Sequence, residues 1–141
     1  MIISRKMRVI HLDDHKLFHA CLRTCLRKRN QELFLHHYQN SDDAFDAIAQ
    51  FIRSFEPIDL IITDLIHMGQ NGYEFAKSVR SVESSYFIRT PILLLTMHTP
   101  KYNLFLKEKL QENVFDAYLP KSADCPHIVA TIEELTGIRI N

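Results

Sequence analysis

Short apolar runs alternate with amphipathic stretches along the whole chain. Met7-Arg8-Val9-Ile10-His11-Leu12 reads as a first strand, and Leu17, Phe18, Cys21, Leu22, Cys25 and Leu26 recur at helical spacing, predicting a helix from about His15 to Arg29. Leu33 to Tyr38 is a second strand. Ser41 is the expected N-cap of a second helix, with Asp42 and Asp43 in the first turn, where acids suit the helix dipole, and Phe45, Ile48, Ala49 and Ile52 as its stripe. After the Pro57 turn, Ile58 to Thr63 is a third strand; Gly69-Gln70-Asn71-Gly72 is loop; Tyr73 to about Ser84 is a third helix, with Phe75, Ala76 and Val79 inward. Pro91 opens the run Ile92-Leu93-Leu94-Leu95, the pattern of a strand buried on both faces. Thr99 and Pro100 read as N-cap and first-turn proline of a fourth helix bearing Leu104, Phe105 and Leu110. Val114 to Leu119 is a fifth strand, and Ile128, Val129, Ile132 and Leu135 form the stripe of a fifth helix stopped by Gly137.

Five strand-then-helix repeats predict an α/β fold: a doubly wound, five-stranded parallel sheet with helices on both faces. In such sheets the site lies at the carboxyl ends of the strands, near the point where strand order reverses. A length of 141 residues fits one domain, at about 150 residues per domain. Lys+Arg and Asp+Glu are each 17, so the net charge is zero, which argues against a bulk electrostatic grip on nucleic acid or an anionic membrane. No apolar run approaches the roughly 18 residues of a membrane span, and the quickly charged start is too short for a secretory signal, so a cytoplasmic location is expected. The glycines are Gly69, Gly72 and Gly137, too few for a dinucleotide fingerprint or a P-loop, so any phosphate chemistry must come from side chains and a metal. Three cysteines without a CxxC pair suggest neither a disulfide framework nor a thiolate zinc site; Cys21 and Cys25, on the apolar stripe, read as core thiols.

The strand ends carry the informative chemistry. Asp13 and Asp14 follow the first strand, Asp64 ends the third, Thr96 ends the fourth and Lys121 follows the fifth. Any one of these is unremarkable in a loop; matched chemistry at four strand ends is not. Two carboxylates about 4 Å apart repel by about 4 kcal/mol at an effective dielectric near 20, so the cluster calls for a cation. An all-oxygen donor set with room for water suits Mg²⁺ better than Zn²⁺. A phosphoryl group needs similar neutralisation, which a metal, a lysine and a hydroxyl can share, and a central carboxylate can itself be the nucleophile.

On these residues the chain resembles a two-component response-regulator receiver domain. The resemblance rests on Val9-Ile10-His11-Leu12-Asp13-Asp14-His15-Lys16-Leu17-Phe18, Ile58 to Leu65, Gly72-Tyr73-Glu74, Leu94-Leu95-Thr96-Met97-His98 and Ala117-Tyr118-Leu119-Pro120-Lys121-Ser122. The Asp-Asp-His-x-Leu-Phe opening and the Thr-Met-His turn look most like the NarL/FixJ subfamily. The resemblance implies a flavodoxin-like sheet of order 2-1-3-4-5 and a receiver unit over 7–135, with no output domain in this chain. It implies that Asp64 is the phosphoacceptor for a kinase phosphohistidine. Mg²⁺, or Mn²⁺ in its place, would be held by Asp14 directly, by Asp13 through water, by Asp64, and by the backbone carbonyl of Ile66. Thr96 matches the switch hydroxyl, Lys121 the lysine that pairs with the phosphoryl group, and Tyr118 the aromatic that follows Thr96. The implied partners are a sensor histidine kinase or phosphotransfer protein, and an output partner or missing effector domain on the face of the fourth helix, fifth strand and fifth helix. A homodimer is compatible with that face; direct contact with nucleic acid or membrane is not expected.

There are departures from the family pattern. Met68 stands where a proline is usual, Asn71 replaces an aspartate before Gly72, Val114 and Phe115 replace a small pair, Pro120 precedes the lysine, Ser122 follows it, and Met97 is large. They bear on loop geometry and phosphoryl lifetime. His98, two residues past Thr96, is placed to influence water access to the phosphoryl group. Two rival readings remain: a receiver-like module that docks partners without phosphorylation, and a small phosphatase using Asp64. Against the second, Ile66 stands where aspartyl phosphatases of the haloacid-dehalogenase type carry a second aspartate. His15 and His19 mimic a metal pair but lack the glutamate of HExxH, so zinc is not expected there. Asp42 and Asp43 read as helix-dipole support, and Arg23, Arg27, Lys28 and Arg29 as a solvated helix end.

Overall fold

The computed structural model describes residues 6–27, 33–68 and 70–140. The elements are β1 (Met7–Leu12), α1 (Lys16–Arg27), β2 (Leu33–Tyr38), α2 (Ser41–Arg53), β3 (Leu60–Thr63), a small hairpin of β4 (Ile66–His67) and β5 (Gln70–Asn71), α3 (Gly72–Ser84), β6 (Ile92–Thr96), α4 (Leu104–Lys109), β7 (Ala117–Pro120) and α5 (Cys125–Thr136). Five strands form one sheet in the order β2-β1-β3-β6-β7, and the four pairings are all parallel. Counting only its own strands, that is the expected 2-1-3-4-5 order. β1 and β3 are its central neighbours, so the order reverses between them and puts Asp13, Asp14 and Asp64 at the switch point.

Alternate residues of each strand face opposite layers. Ile10, Ile61, Ile92 and Leu94 meet Ile48, Phe75, Val79 and Leu106 of α2, α3 and α4. Val9, Leu60, Ile62, Leu93 and Leu95 meet Leu22, Leu26, Ile128 and Ile132 of α1 and α5, with Ile140 packed beyond them. The sheet is therefore a layer buried on both sides, as the apolar strand pattern requires. Among the described residues no helix is long and apolar enough to cross a membrane.

Several element boundaries differ from the sequence reading, each for a visible reason. Asn40, not Ser41, caps α2: its Oδ1 accepts from the Asp43 amide at 2.9 Å, and the Ser41 hydroxyl turns to His67 Nε2. Asp42 and Asp43 do fall in the first turn. Thr99 and Pro100 form a separate turn; α4 starts later, under Asn103, whose Oδ1 accepts from the Leu106 amide at 2.9 Å. The shift buries Leu106 and leaves Leu104 largely exposed. Val114 to Asp116 do not join β7 because Arg80 of α3 holds them as a loop, donating to the Val114 carbonyl at 2.9 Å and to Asp116 Oδ2 at 2.7 Å. Lys28 and Arg29 lie outside the described residues, as does Gly69.

The cysteine expectation is also corrected. Cys25 of α1 is disulfide-bonded to Cys125, the first residue of α5, with their Cα atoms 5.8 Å apart. The bond links positions 100 residues apart that meet only because α1 and α5 share a face of the sheet. Cys21 is a free thiol, and it is exposed rather than in the core.

Candidate functional site

The strand ends deliver their side chains with little freedom, because ladder bonds continue past each strand. The Asp13 amide donates to the Tyr38 carbonyl at 3.0 Å, Asp64 to Leu12 at 3.1 Å and Lys121 to Thr96 at 2.9 Å. Behind Asp64, Gly72 opens α3 against the strand end: a Cβ there would lie 2.0 Å from the Asp64 carbonyl oxygen, and the Gly72 amide donates to Leu65 at 2.6 Å. Only a residue without a side chain permits that approach. Asn71, the departure just before it, caps α3 with its own side-chain oxygen, accepting from the Tyr73 amide at 2.8 Å.

Lys121 is the centre of the cluster. Its Nζ is 2.7 Å from Asp13 Oδ2 and 2.9 Å from Asp64 Oδ2, and its side chain is only 5% exposed. The ring of Phe18, on α1, covers the ammonium at 4.7 Å, a cation–π contact. Burial alone would lower the lysine pKa, but the contacts with Asp13 and Asp64 outweigh it and hold the group above its ordinary value. Asp64 Oδ1 accepts from the Leu65 amide at 2.7 Å, which fixes the plane of the carboxylate. Asp13 Oδ1 accepts from the His15 amide at 2.8 Å. Asp14 reaches across to the hairpin, where its Oδ2 accepts from the Met68 amide at 2.7 Å.

The chemistry of the acids suits a hard divalent cation: Asp13, Asp14 and Asp64 offer only carboxylate oxygens, the donors that suit Mg²⁺. Asp13 Oδ2 is fully buried and, although paired in charge with Lys121, has no well-aligned hydrogen-bond donor. Lys121 offsets the charge of that oxygen, and a divalent cation or water would satisfy its remaining lone pairs. His67 reports on the same cluster: burial lowers its pKa, while Asp64, Asp14 and Asp13 pull the other way without reversing it.

Thr96 is fully buried at the end of β6, and its hydroxyl accepts from the His98 amide at a long 3.4 Å. Tyr118, half-buried on β7, donates its hydroxyl to the His98 carbonyl at 3.0 Å, and burial raises its pKa. Thr96, His98 and Tyr118 are thus linked around the β6–α4 loop. Sequence reasoning named all the acids, Thr96, Lys121 and Tyr118; the structure gathers Asp13, Asp64 and Lys121 into contact and sets Asp14 on the hairpin. It missed the Met68 amide, which carries no side-chain signal, and the part played by Phe18.

His11 and His19 stand beside Asp13. Burial, with His19, His37 and Lys121 nearby, pushes His11 well below the usual histidine range; burial, His37 and Arg23 push His19 down to about 4. His19 faces His11, with their Nδ1 atoms 2.9 Å apart.

No family model matches the chain. It is 35% identical over 85 residues to "Histidine kinase 1" of Arabidopsis thaliana, and 28% identical over 92 residues to the sensory/regulatory protein RpfC of Xanthomonas campestris pv. campestris. These are long proteins: the chain spans 7% and 12% of their lengths. Among solved structures, the receiver domain of the Arabidopsis thaliana histidine kinase CKI1, complexed with Mg²⁺ and BeF₃⁻, superposes with a TM-score of 0.76 at 26% identity, covering 91% of this chain and 90% of that one. The Vibrio cholerae chemotaxis protein CheY4 shares the fold, with a TM-score of 0.73 at 22% identity over 93% of this chain and 99% of that one. The strand order, the acids at the switch point and this likeness together give the chain the fold of the CheY-like receiver domains and make it similar to the CKI1 receiver.

Proposed function

We propose that the chain is a phosphorylation-switched receiver that accepts a phosphoryl group on Asp64. The observation that carries this reading is Lys121 Nζ within 2.9 Å of both Asp13 and Asp64, with both carboxylates buried. A carboxylate oxygen of Asp64 attacks phosphorus, the bond from phosphorus to the donor imidazole nitrogen breaks, and an acyl phosphate remains on Asp64. The donor is a phosphohistidine of a sensor histidine kinase or phosphotransfer protein. Asp13, Asp14, Asp64 and the Ile66 carbonyl would hold Mg²⁺, or Mn²⁺ in its place. When bound, the ion supplies charge neutralisation at the transferring oxygens. The chain's own residues do the rest. Leu65 N–H orients the acceptor, Lys121 stabilises the charge that arrives, and the Thr96 hydroxyl turns from His98 toward the new oxygens.

That turn frees the β6–α4 loop, where the Tyr118 hydroxyl holds the His98 carbonyl. Met97, Tyr102 and Leu104 are exposed around that loop and the start of α4. We assign the output face to α4, β7 and α5, for an output partner, an effector domain or a second copy of the chain. The receiver unit is taken as 7–135, and the subfamily as NarL/FixJ-like on the Asp13–Phe18 opening and the Thr96-Met97-His98 turn. The reading makes the chain a cytoplasmic signalling domain with self-catalysed transfer and slow loss of the phosphoryl group, not a turnover enzyme.

Incubation with acetyl phosphate and Mg²⁺ tests it. The expected result is an acid-stable, base-labile mass gain of one phosphoryl group, absent in Asp64→Asn. No gain from acetyl phosphate or from any histidine kinase would overturn the reading in favour of phosphorylation-independent docking.

A further inference from the structure

Three histidines converge beside the acidic cluster, with His11 Nε2 3.8 Å from Asp13 Oδ2. His11 on β1, His19 on α1 and His37 on β2 each offer one ring nitrogen, and these nitrogens lie within 4.8 Å of one another. His11 Nδ1 is 2.9 Å from His19 Nδ1. Two imidazole nitrogens at that distance share one proton, one ring donating and the other accepting. The His19 and His37 rings stack with centroids 3.8 Å apart and 9° between planes, and the His11 ring lies 5.1 Å and 5.5 Å from them. His11 and His19 are buried, and His19 Nε2 is a fully buried nitrogen without a hydrogen-bond partner. Apolar side chains would fill this space without leaving a polar atom unpaired, a cost of about 1–3 kcal/mol.

The chemistry of the trio differs from that of its neighbour. Converging imidazoles are borderline-soft nitrogen donors; they suit Zn²⁺, Cu²⁺ and Ni²⁺, not Mg²⁺. Register explains the convergence: His11 and His37 are directly paired across β1 and β2, and α1 lays His19 over them. The His15 and His19 spacing does not make a metal pair; the rings that face His19 come from two strands.

We propose that His11, His19 and His37 form a binding site for one divalent transition-metal ion of the Zn²⁺ class, distinct from the acidic pocket, with water as the fourth ligand. On binding, the ion takes the lone pairs of His11 and His19, and the proton they shared leaves to solvent. Parallel stacked rings cannot both aim an in-plane lone pair at one ion, so His37 tilts off the stack to complete the set. His37 Nε2–H donates to the Asp13 carbonyl at 2.7 Å. The site therefore touches the backbone of an acidic-pocket residue, which makes the ion a regulatory ligand by position. None of this depends on Asp64 being phosphorylated.

The test is a Zn²⁺ titration of the metal-stripped, disulfide-intact full chain by calorimetry, with Co²⁺ visible absorption as a reporter of coordination. The wild-type chain should bind one ion and give tetrahedral Co²⁺ bands. Cys21→Ser should bind as wild type. His19→Gln and His37→Gln should each weaken binding roughly tenfold or more, since even outer-shell partners of metal sites are worth about tenfold. Histidine-detected NMR of the wild-type chain removes dependence on variant folding: Zn²⁺ must shift the imidazole resonances of residues 11, 19 and 37. No binding, undiminished binding by a folded His19→Gln, loss in Cys21→Ser, or shifts confined to other histidines would each overturn the proposal.

Discussion

Lys121 lies closer to Asp13, at 2.7 Å, than to Asp64, at 2.9 Å. The lysine thus bridges the proposed metal side of the pocket and the proposed phosphoryl side. Removing it leaves two buried carboxylates without their cation, and breaking such a buried pair costs about 3 kcal/mol or more. Lys121→Met is expected to lower stability by that order in chelator and to regain part of it in millimolar Mg²⁺. Urea denaturation under the two conditions measures both, and acetyl-phosphate labelling should fall sharply in the same variant.

Met68 gives a second expectation. Its φ is 48°, in the left-handed region, and its amide donates to Asp14. Proline has no amide hydrogen and cannot adopt that φ. Met68→Pro should weaken Mg²⁺ binding by about tenfold, whereas Met68→Gly, which keeps the donor, should stay within about 1 kcal/mol of wild-type stability. Mg²⁺ titration of the two variants separates donor loss from side-chain loss.

The Cys25–Cys125 bond closes a span of 100 residues. On the chain-entropy account a loop of that size is worth about 4–5 kcal/mol as an upper bound. Reduction by a thiol, or Cys125→Ser, should lower the urea midpoint strongly. If the two midpoints coincide, the bond does not constrain the unfolded chain.

Acid should weaken the fold through His19. Its pKa falls from 6.5 to about 4 on folding, with His11 and His37 facing it from β1 and β2 and Arg23 nearby on its own helix. Between those values the unfolded chain binds a proton that the folded chain does not, so stability is full above about 6.5, falls as pH drops, and levels off below about 4. The loss is about 3 kcal/mol at most. His19→Gln should show a shallower decline over that window when urea midpoints are compared at matched pH.

Tyr118→Phe removes only the hydroxyl that holds the His98 carbonyl. Folding should change by about 1 kcal/mol, the worth of one such bond. Phosphoryl uptake should persist, while the spectral change that beryllofluoride induces in the α4 region should shrink. His98→Ala tests the neighbouring side chain: an unchanged aspartyl-phosphate half-life would remove it from any role in water access.

The layered fold was legible because burial writes directly into residue pattern. Ile92 to Leu95 could only be a strand covered on both faces, and the acids after β1 and β3 fell at the switch point once the repeats were counted. What stayed hidden depended on contacts distant in sequence. Nothing local in Cys25 announces Cys125, because α1 and α5 meet only through the finished sheet. The fourth helix misled through Thr99 and Pro100, a valid start signal outcompeted by Asn103. His19 was weighed against His15 on its own helix, whereas strand register set it against His11 and His37. Backbone groups such as the Met68 amide leave no trace in side-chain chemistry at all.

Gly72 sets the direction in which the pocket can yield. Main chain rests on main chain behind Asp64, with no side chain between to compress or swing. Close-packed interiors transmit strain rather than absorb it. On the proposed reading, a push from a phosphoryl group on that carboxylate meets rigid main chain at the start of α3 and is turned along the sheet edge, toward Thr96.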